Sequence, residues 1–184
     1  MIGFFFNAIN SIGDKKMELK QLVDESMKLF EIDDIKDLGS KLMKIVTEDK
    51  IEYYKKFKEL VEDLSVDWLQ KIFQYYEADR KDKKQDYTPL SLARFVSKLV
   101  GNGDTVLDMC AGSGALTIQK WNLNKDTKFI CEEFSTNVIP FLIFNLAIRN
   151  IDATVVQKDV LGNIEIKKYK IIPREEFGKV EVQK

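Results

Sequence analysis

Asp108-Met-Cys-Ala-Gly112-Ser-Gly114 stands between the short apolar run Thr105-Val-Leu107 and a helix-like stretch from Ala115 to Trp121. Strand, glycine-bearing turn and helix in immediate succession make the entry to an α/β unit. Glycines in such a connection let the backbone turn sharply and approach a ligand closely. The helix that follows directs its unpaired N–H groups and its positive dipole end back at the turn. A carboxylate or a phosphate is the expected guest.

Working outward from this turn, Lys128 to Cys131 reads as a second strand that ends in Glu132 and Glu133. Thr136 to Arg149 reads as a helix with Pro140 tolerated near its first turn, and Ala153 to Gln157 as a third strand. Strand and helix alternating in this way predict a parallel, doubly wound sheet. Ile164–Ile166, Lys168–Ile172 and Lys179–Val182 follow, with Pro173 and Gly178 at turns. The last two runs predict a β-hairpin that covers an otherwise open sheet edge.

Upstream, Thr88-Pro89 predicts a helix start, with a hydroxyl cap and then proline at the first helical position. Leu92, Phe95, Val96, Leu99 and Val100 are its expected buried face, Gly101 its expected stop, and Thr105 to Asp108 a short buried strand. A polar linker, Lys81 to Asp86, separates this part from Glu18 to Arg80, where apolar residues recur at helical spacing. The stripes are Leu19, Leu22, Val23, Met27 and Phe30; Ile35, Leu38, Leu42, Ile45 and Val46, with Gly39 a weak point; and Ile51, Tyr54, Phe57 and Val61. Ser65 is the expected cap of a fourth helix carrying Trp68, Leu69, Ile72, Phe73 and Tyr76.

The 184 residues are 45% hydrophobic and 32% charged with a net charge of −1, a globular composition without the basic excess of a duplex binder. Arg80–Lys84 and Lys167–Lys170 read as solvated surface. Ile2 to Ile9, with three consecutive phenylalanines, is too short to span a bilayer and reads as an apolar anchor on the body or a partner. The chain has no histidine, which excludes His-based catalytic triads and metal sites. Cys110 and Cys131 are too few for a disulfide framework, lack metal-ligand spacing and read as small core residues, so a reduced, cytoplasmic setting is expected.

Three ligands compete for the glycine turn. A P-loop needs lysine and a hydroxyl residue after the second glycine, where Ala115 and Leu116 stand. A dinucleotide fingerprint needs a third small residue where Thr117 stands. S-adenosylmethionine fits better, its carboxylate on the turn and helix end and its ammonium near Asp108. An acid about 20 residues on, at Glu132 or Glu133, then accepts the ribose hydroxyls.

From Gln85 to Leu161 the chain resembles the amino-terminal half of an N6-adenine DNA methyltransferase catalytic domain, in the style of type I restriction–modification modification subunits. Tyr87-Thr88-Pro89 resembles the family's motif over the cofactor, and Asp108 to Gly114 its glycine-rich motif. Glu133-Phe-Ser and the helix with Phe144-Asn145-Leu146 resemble its ribose-binding acid and next helix, and Asp159 the acid beside the adenine. The resemblance implies a class I, Rossmann-like methyltransferase fold in truncated form, a parallel sheet plus the C-terminal hairpin. It divides the chain into a helical region, 1–84, and a partial S-adenosylmethionine-binding domain, 85–184. The implied cofactor-binding residues are Tyr87, Thr88, Pro89, Asp108, Cys110, Ala111, Gly112, Gly114, Glu133 and Asp159. Plainer readings stay open: Tyr87 and Thr88 as a helix start only, Glu132 as the ribose ligand, Asp159 as a turn cap.

The family's amine-methylating step uses an Asn or Asp, two prolines and an aromatic residue. Pro89, Pro140 and Pro173 follow Thr88, Ile139 and Ile172, so that motif is absent from these residues and no catalytic residue is assigned. Two readings follow: a methyltransferase that reaches DNA through a partner subunit, or a non-catalytic cofactor-binding or regulatory module. Either pairs with a protein partner or a second copy through its helical region, and neither involves a membrane.

Overall fold

A computed structural model describes residues 18–77, 88–101 and 103–183; the expectations for residues 2–9, for the linker 81–86 and for Tyr87 lie outside them. The helical region comprises α1 (Leu19–Phe30), a 3₁₀ turn (Ile35–Asp37), α2 (Leu38–Thr47), α3 (Ile51–Val61) and α4 (Trp68–Glu77). There follow α5 (Leu90–Leu99), β1 (Thr105–Met109), α6 (Ala115–Leu123), β2 (Lys128–Glu133), α7 (Ile139–Ile148), β3 (Ala153–Asp159), β4 (Ile164–Ile172) and β5 (Lys179–Gln183). Among the described residues no helix is long and apolar enough to cross a membrane, and no group of three or more His, Cys, Asp or Glu gathers as a metal site.

The five strands form one mixed sheet in the order β1-β2-β3-β4-β5. β1, β2 and β3 are parallel, while β4 and β5 return antiparallel. The hairpin therefore covers the β3 side, and β1 and β5 are the two edges of the described sheet. Side chains alternate across the strands. Phe129, Cys131, Ala153, Val155, Tyr169 and Ile171 are buried, whereas Leu107, Met109, Ile130 and Ile172 between them are exposed. Most of the core thus lies on one face of the sheet, and among the described residues there is no second helical layer of the kind that double winding predicts.

On that face sits α7, all ten of whose residues are buried. A helix apolar all round must be covered on every side. The sheet covers one flank and the helical region the other. Phe144 is the centre of that second contact, its ring 5.8 Å from Phe30, 5.7 Å from Phe57 and 5.0 Å from Tyr54. Tyr54 in turn lies 5.4 Å from Phe177 before β5. The molecule has three layers: sheet, α7, helical region. A bidentate pair from Arg174 to Asp49, at 2.7 and 2.8 Å, fastens the turn after α2 to the β4–β5 connection.

Several local expectations are corrected. The fourth helix is capped by Asp67, whose Oδ1 accepts from the Gln70 N–H, while Ser65 donates to Asp63 instead. Gly39 has a packing role besides: a Cβ there meets the Phe141 ring at 3.4 Å, so the position lets α2 lie close to α7. The hydroxyl cap at Thr88 is not made, since Pro89 holds the N-cap position without a side-chain bond. Residues 164–166 and 168–172 are one strand, not two. Above all, the expected buried face of α5 is exposed: Leu92 at 49%, Phe95 at 59%, Leu99 at 68% and Val100 at 39%, with Ala93 and Ser97 buried instead. Among the described residues the main contact of α5 is with α6. β1 is correspondingly no buried strand, with Leu107 and Met109 more than half exposed. Both differences share one cause: the pattern marks faces that want cover, and among the described residues no element lies beyond β1 to give it.

Truncating Phe144 to Ala should cost about 3–5 kcal/mol, read as a lower midpoint in chemical denaturation, because it empties the junction of two layers. Gly178→Ala should cost about 1–3 kcal/mol in the same measurement. Its Cβ falls 2.5 Å from Ile171 Cγ2 and 3.4 Å from Ala147 Cα.

Candidate functional site

Because β1, β2 and β3 are parallel, their C-terminal ends open on one side of the sheet, where ligand crevices form in α/β proteins. β1 ends at Asp108-Met109, and the turn then passes through two left-handed residues, Cys110 at φ 69° and Gly112 at φ 57°, to Gly114 at φ 97°, the N-cap of α6. Ala111 still follows the sheet, its N–H donating to the Glu132 carbonyl at 2.9 Å. Glycine is needed at Gly114 for two reasons: its positive φ, and Leu142 Cδ1 at 3.1 Å from where a Cβ stands. At Gly112 the same test meets nothing within 4 Å. Open space lies over that peptide. Cys110 is exposed, contrary to its expected place in the core, whereas Cys131 is buried and burial pushes its thiol up to about 12.

The two acids after β2 diverge, as alternation requires. Glu132 turns to the far sheet face and pairs with Lys158 at 2.8 Å. Glu133 turns to the crevice, where one carboxylate oxygen accepts from the Gly112 N–H and the other from the Ser135 N–H, both at 2.8 Å. The geometry thus separates the two residues that sequence left as alternatives. Gln157 on β3 donates to the Thr136 hydroxyl at 2.8 Å and so pins the segment after Glu133. Phe134, the next residue after Glu133, is 62% exposed.

Asp108 lies beneath the turn and accepts from the Thr117 hydroxyl at 2.6 Å. Burial raises its carboxyl above the ordinary value; the Thr117 bond opposes that shift and the Glu133 charge adds to it. Two carboxylates therefore face one crevice floored by backbone amides, a combination suited to a zwitterionic or cationic ligand. The N–H groups of the first turn of α6 have no partner within the helix and supply the complementary positive end.

Of the other residues expected here, Thr88 and Pro89 open α5, which packs on α6. Asp159 stands at the same end of the sheet, but its Oδ1 accepts from the Gly162 N–H at 2.9 Å, the bond of a turn cap. Thr117, Phe134, Gln157 and Asn145 are not among the cofactor-binding residues that the sequence implies. For Thr117 the signal was available: it lies three residues into α6 and faces back to Asp108. For Phe134 it was not, since exposure of one aromatic residue is invisible in an apolar pattern.

A comparison with the curated proteins gives no match, and neither does one with the solved structures. The model of one family, N-6 DNA methylase, matches residues 60–174, a span that includes the glycine turn, Glu133, α7 and the start of the hairpin. That span covers more than half of the chain and begins in the helical region at the end of α3. The chain is a member of the N-6 DNA methylase family.

Proposed function

We propose that the chain binds S-adenosylmethionine in the crevice over β1 and β2 and supplies the cofactor half of a methyltransferase acting on adenine N6 in DNA. The observation that carries this reading is the convergence of the glycine turn and Glu133, one hydrogen bond apart, beside a half-buried Asp108. The residues fit the ligand's parts. The open space at Gly112 admits a close approach to backbone, the α6 amides suit a carboxylate, and Asp108 suits an ammonium. Glu133 has lone pairs beyond its two amide bonds for ribose hydroxyls, and Phe134 offers a face for a purine. When bound, S-adenosylmethionine supplies an electrophilic methyl group on a sulfonium.

What this chain does not carry is the Asn-Pro-Pro-aromatic acceptor motif. In our reading, that motif and DNA reach the edge of β1 from outside these residues, from a partner polypeptide or from further stretches of a longer protein. That edge has unpaired backbone groups on one side, exposed Leu107 and Met109 on a face, and the exposed stripe of α5 as the neighbouring helix. Added strands satisfy such an edge. The alternative, a regulatory module that binds the cofactor without transferring its methyl group, shares the crevice and differs only in the partner.

Isothermal titration with S-adenosylmethionine, S-adenosylhomocysteine and NAD should give binding of the first two alone; NAD binding, or none, sinks the reading. Glu133→Gln and Phe134→Ala should each weaken S-adenosylhomocysteine by about tenfold, a loss of about 1.4 kcal/mol. Transfer of a labelled methyl group to unmethylated DNA decides between the enzyme and the regulatory module.

Asp108→Asn should weaken the cofactor yet raise the melting temperature of the ligand-free protein. The sign follows from the raised carboxyl: its ionised form costs stability once pH exceeds the unfolded value of about 3.9, and the cost is complete above the folded one. The gain should be about 2–4 °C per kcal/mol relieved and should vanish below about pH 4, where the acid is neutral in both states.

A further inference from the structure

We infer that Asn145 is a positioning residue for the glycine turn and that, through it, the helical region sets the affinity of the crevice; this rests on the cofactor reading above. Asn145 is 1% exposed at the middle of α7. Its Nδ2 has two hydrogens and both are used: one donates to Asp67 Oδ1, the other to the carbonyl of Ser113, each at 2.9 Å. Its Oδ1 accepts from Arg149 Nη1 at 2.9 Å. The amide is fully satisfied and has a single orientation that does so.

The Ser113 bond matters because of where that peptide lies. Its carbonyl is held by Asn145, while the N–H on its other side, from Gly114, donates to the Ala111 carbonyl at 2.9 Å. The Ser113–Gly114 peptide is clamped from both directions, immediately before the first amides of α6. Rotation of that plane re-aims the amides that face the crevice.

The other end of the link belongs to the helical region. Asp67, 5% exposed, caps α4, and its second oxygen is buried with no partner. The same α3–α4 connection offers three successive carbonyls to the rest of the molecule. Arg149 donates to those of Leu64 at 2.8 Å and Val66 at 2.7 Å, and Gln119 and Asn122 of α6 both donate to that of Ser65, at 2.7 and 2.8 Å. Arg149 is buried, which lowers its guanidinium to about 10, with the Asp67 charge opposing the shift. A loop of the helical region thus grips the helices on both sides of the glycine turn, and Asn145 carries the grip to the turn itself.

The test exchanges donor and acceptor. Asn145→Asp removes both donated bonds and sets two carboxylates against each other, which should weaken S-adenosylhomocysteine by about 10–100-fold and lower the melting temperature. The double variant Asp67→Asn/Asn145→Asp restores a bond between the two positions and keeps the negative charge beside Arg149, but position 145 still has no donor for the Ser113 carbonyl. The melting temperature should therefore recover while affinity stays weak, and hydrogen exchange at the Gly114 amide should stay faster than in the parent. A residue that merely docks the helical region predicts recovery of all three. Wild-type affinity and Gly114 exchange in the double variant overturn the inference. If the parent chain binds neither S-adenosylmethionine nor its product, the cofactor reading fails. Exchange at Gly114, measured without ligand, then still decides whether Asn145 holds the turn.

Discussion

Complete burial of α7 is the constraint from which the architecture follows. Ile139-Pro-Phe-Leu-Ile-Phe-Asn-Leu-Ala-Ile148 has no polar face to give to water, so the sheet alone cannot shelter it. The helical region is the missing cover, and its aromatic residues converge on Phe144 for that reason. Burial on all sides also sets the rules for the polar residues the helix carries. Asn145 and Arg149 survive there because nearly every donor they own has an acceptor close by. Apart from those on Asn145 itself, these acceptors lie on the glycine turn and on the α3–α4 connection, so satisfying the core and shaping the crevice are one requirement.

The sheet tells a complementary story at its two ends. Beyond β3 the hairpin β4–β5 extends the sheet to a second edge at β5, and Lys170 pairs with Asp152, so the run Lys167–Lys170 is split between solvent and structure, with Tyr169 buried in its midst. Beyond β1 the described residues add no strand. Parallel strands are ordinarily flanked on both sides and covered on both faces. Among the described residues β1 has one neighbour, and its Leu107 and Met109 face stays exposed.

The fold was legible where local chemistry and period agree. Strand, turn and helix around Asp108–Gly114 are fixed by glycine and by apolar runs of the right length, and the stripes of α1 to α3 fall on the faces that are buried. Illegible was everything that depends on a missing neighbour. Leu92, Phe95 and Leu99 read as core because their spacing is that of a core face, and no pattern within α5 can report that the facing layer is absent. Capping failed for a related reason: Ser65 and Asp67 are both good N-caps, and the choice goes to Asp67 because Asn145, 78 residues on, needs its carboxylate. In the site, alternation along β2 forces Glu132 and Glu133 to opposite faces, but which face holds the crevice is a property of the helix side of the sheet, not of the strand.

The long reach of Phe144 has a consequence for the chain as it leaves the ribosome. Phe57 precedes Phe144 by 87 residues (144 − 57), and Asp49 precedes its partner Arg174 by 125. At about 5–20 residues per second, roughly 4–17 s pass between synthesis of the α3 aromatic face and synthesis of the helix that hides it. During that interval Phe30, Tyr54 and Phe57 form a greasy half-site with no lid. A nascent chain of this design is at its stickiest midway through translation, and its quality control is a matter of timing as much as of final stability.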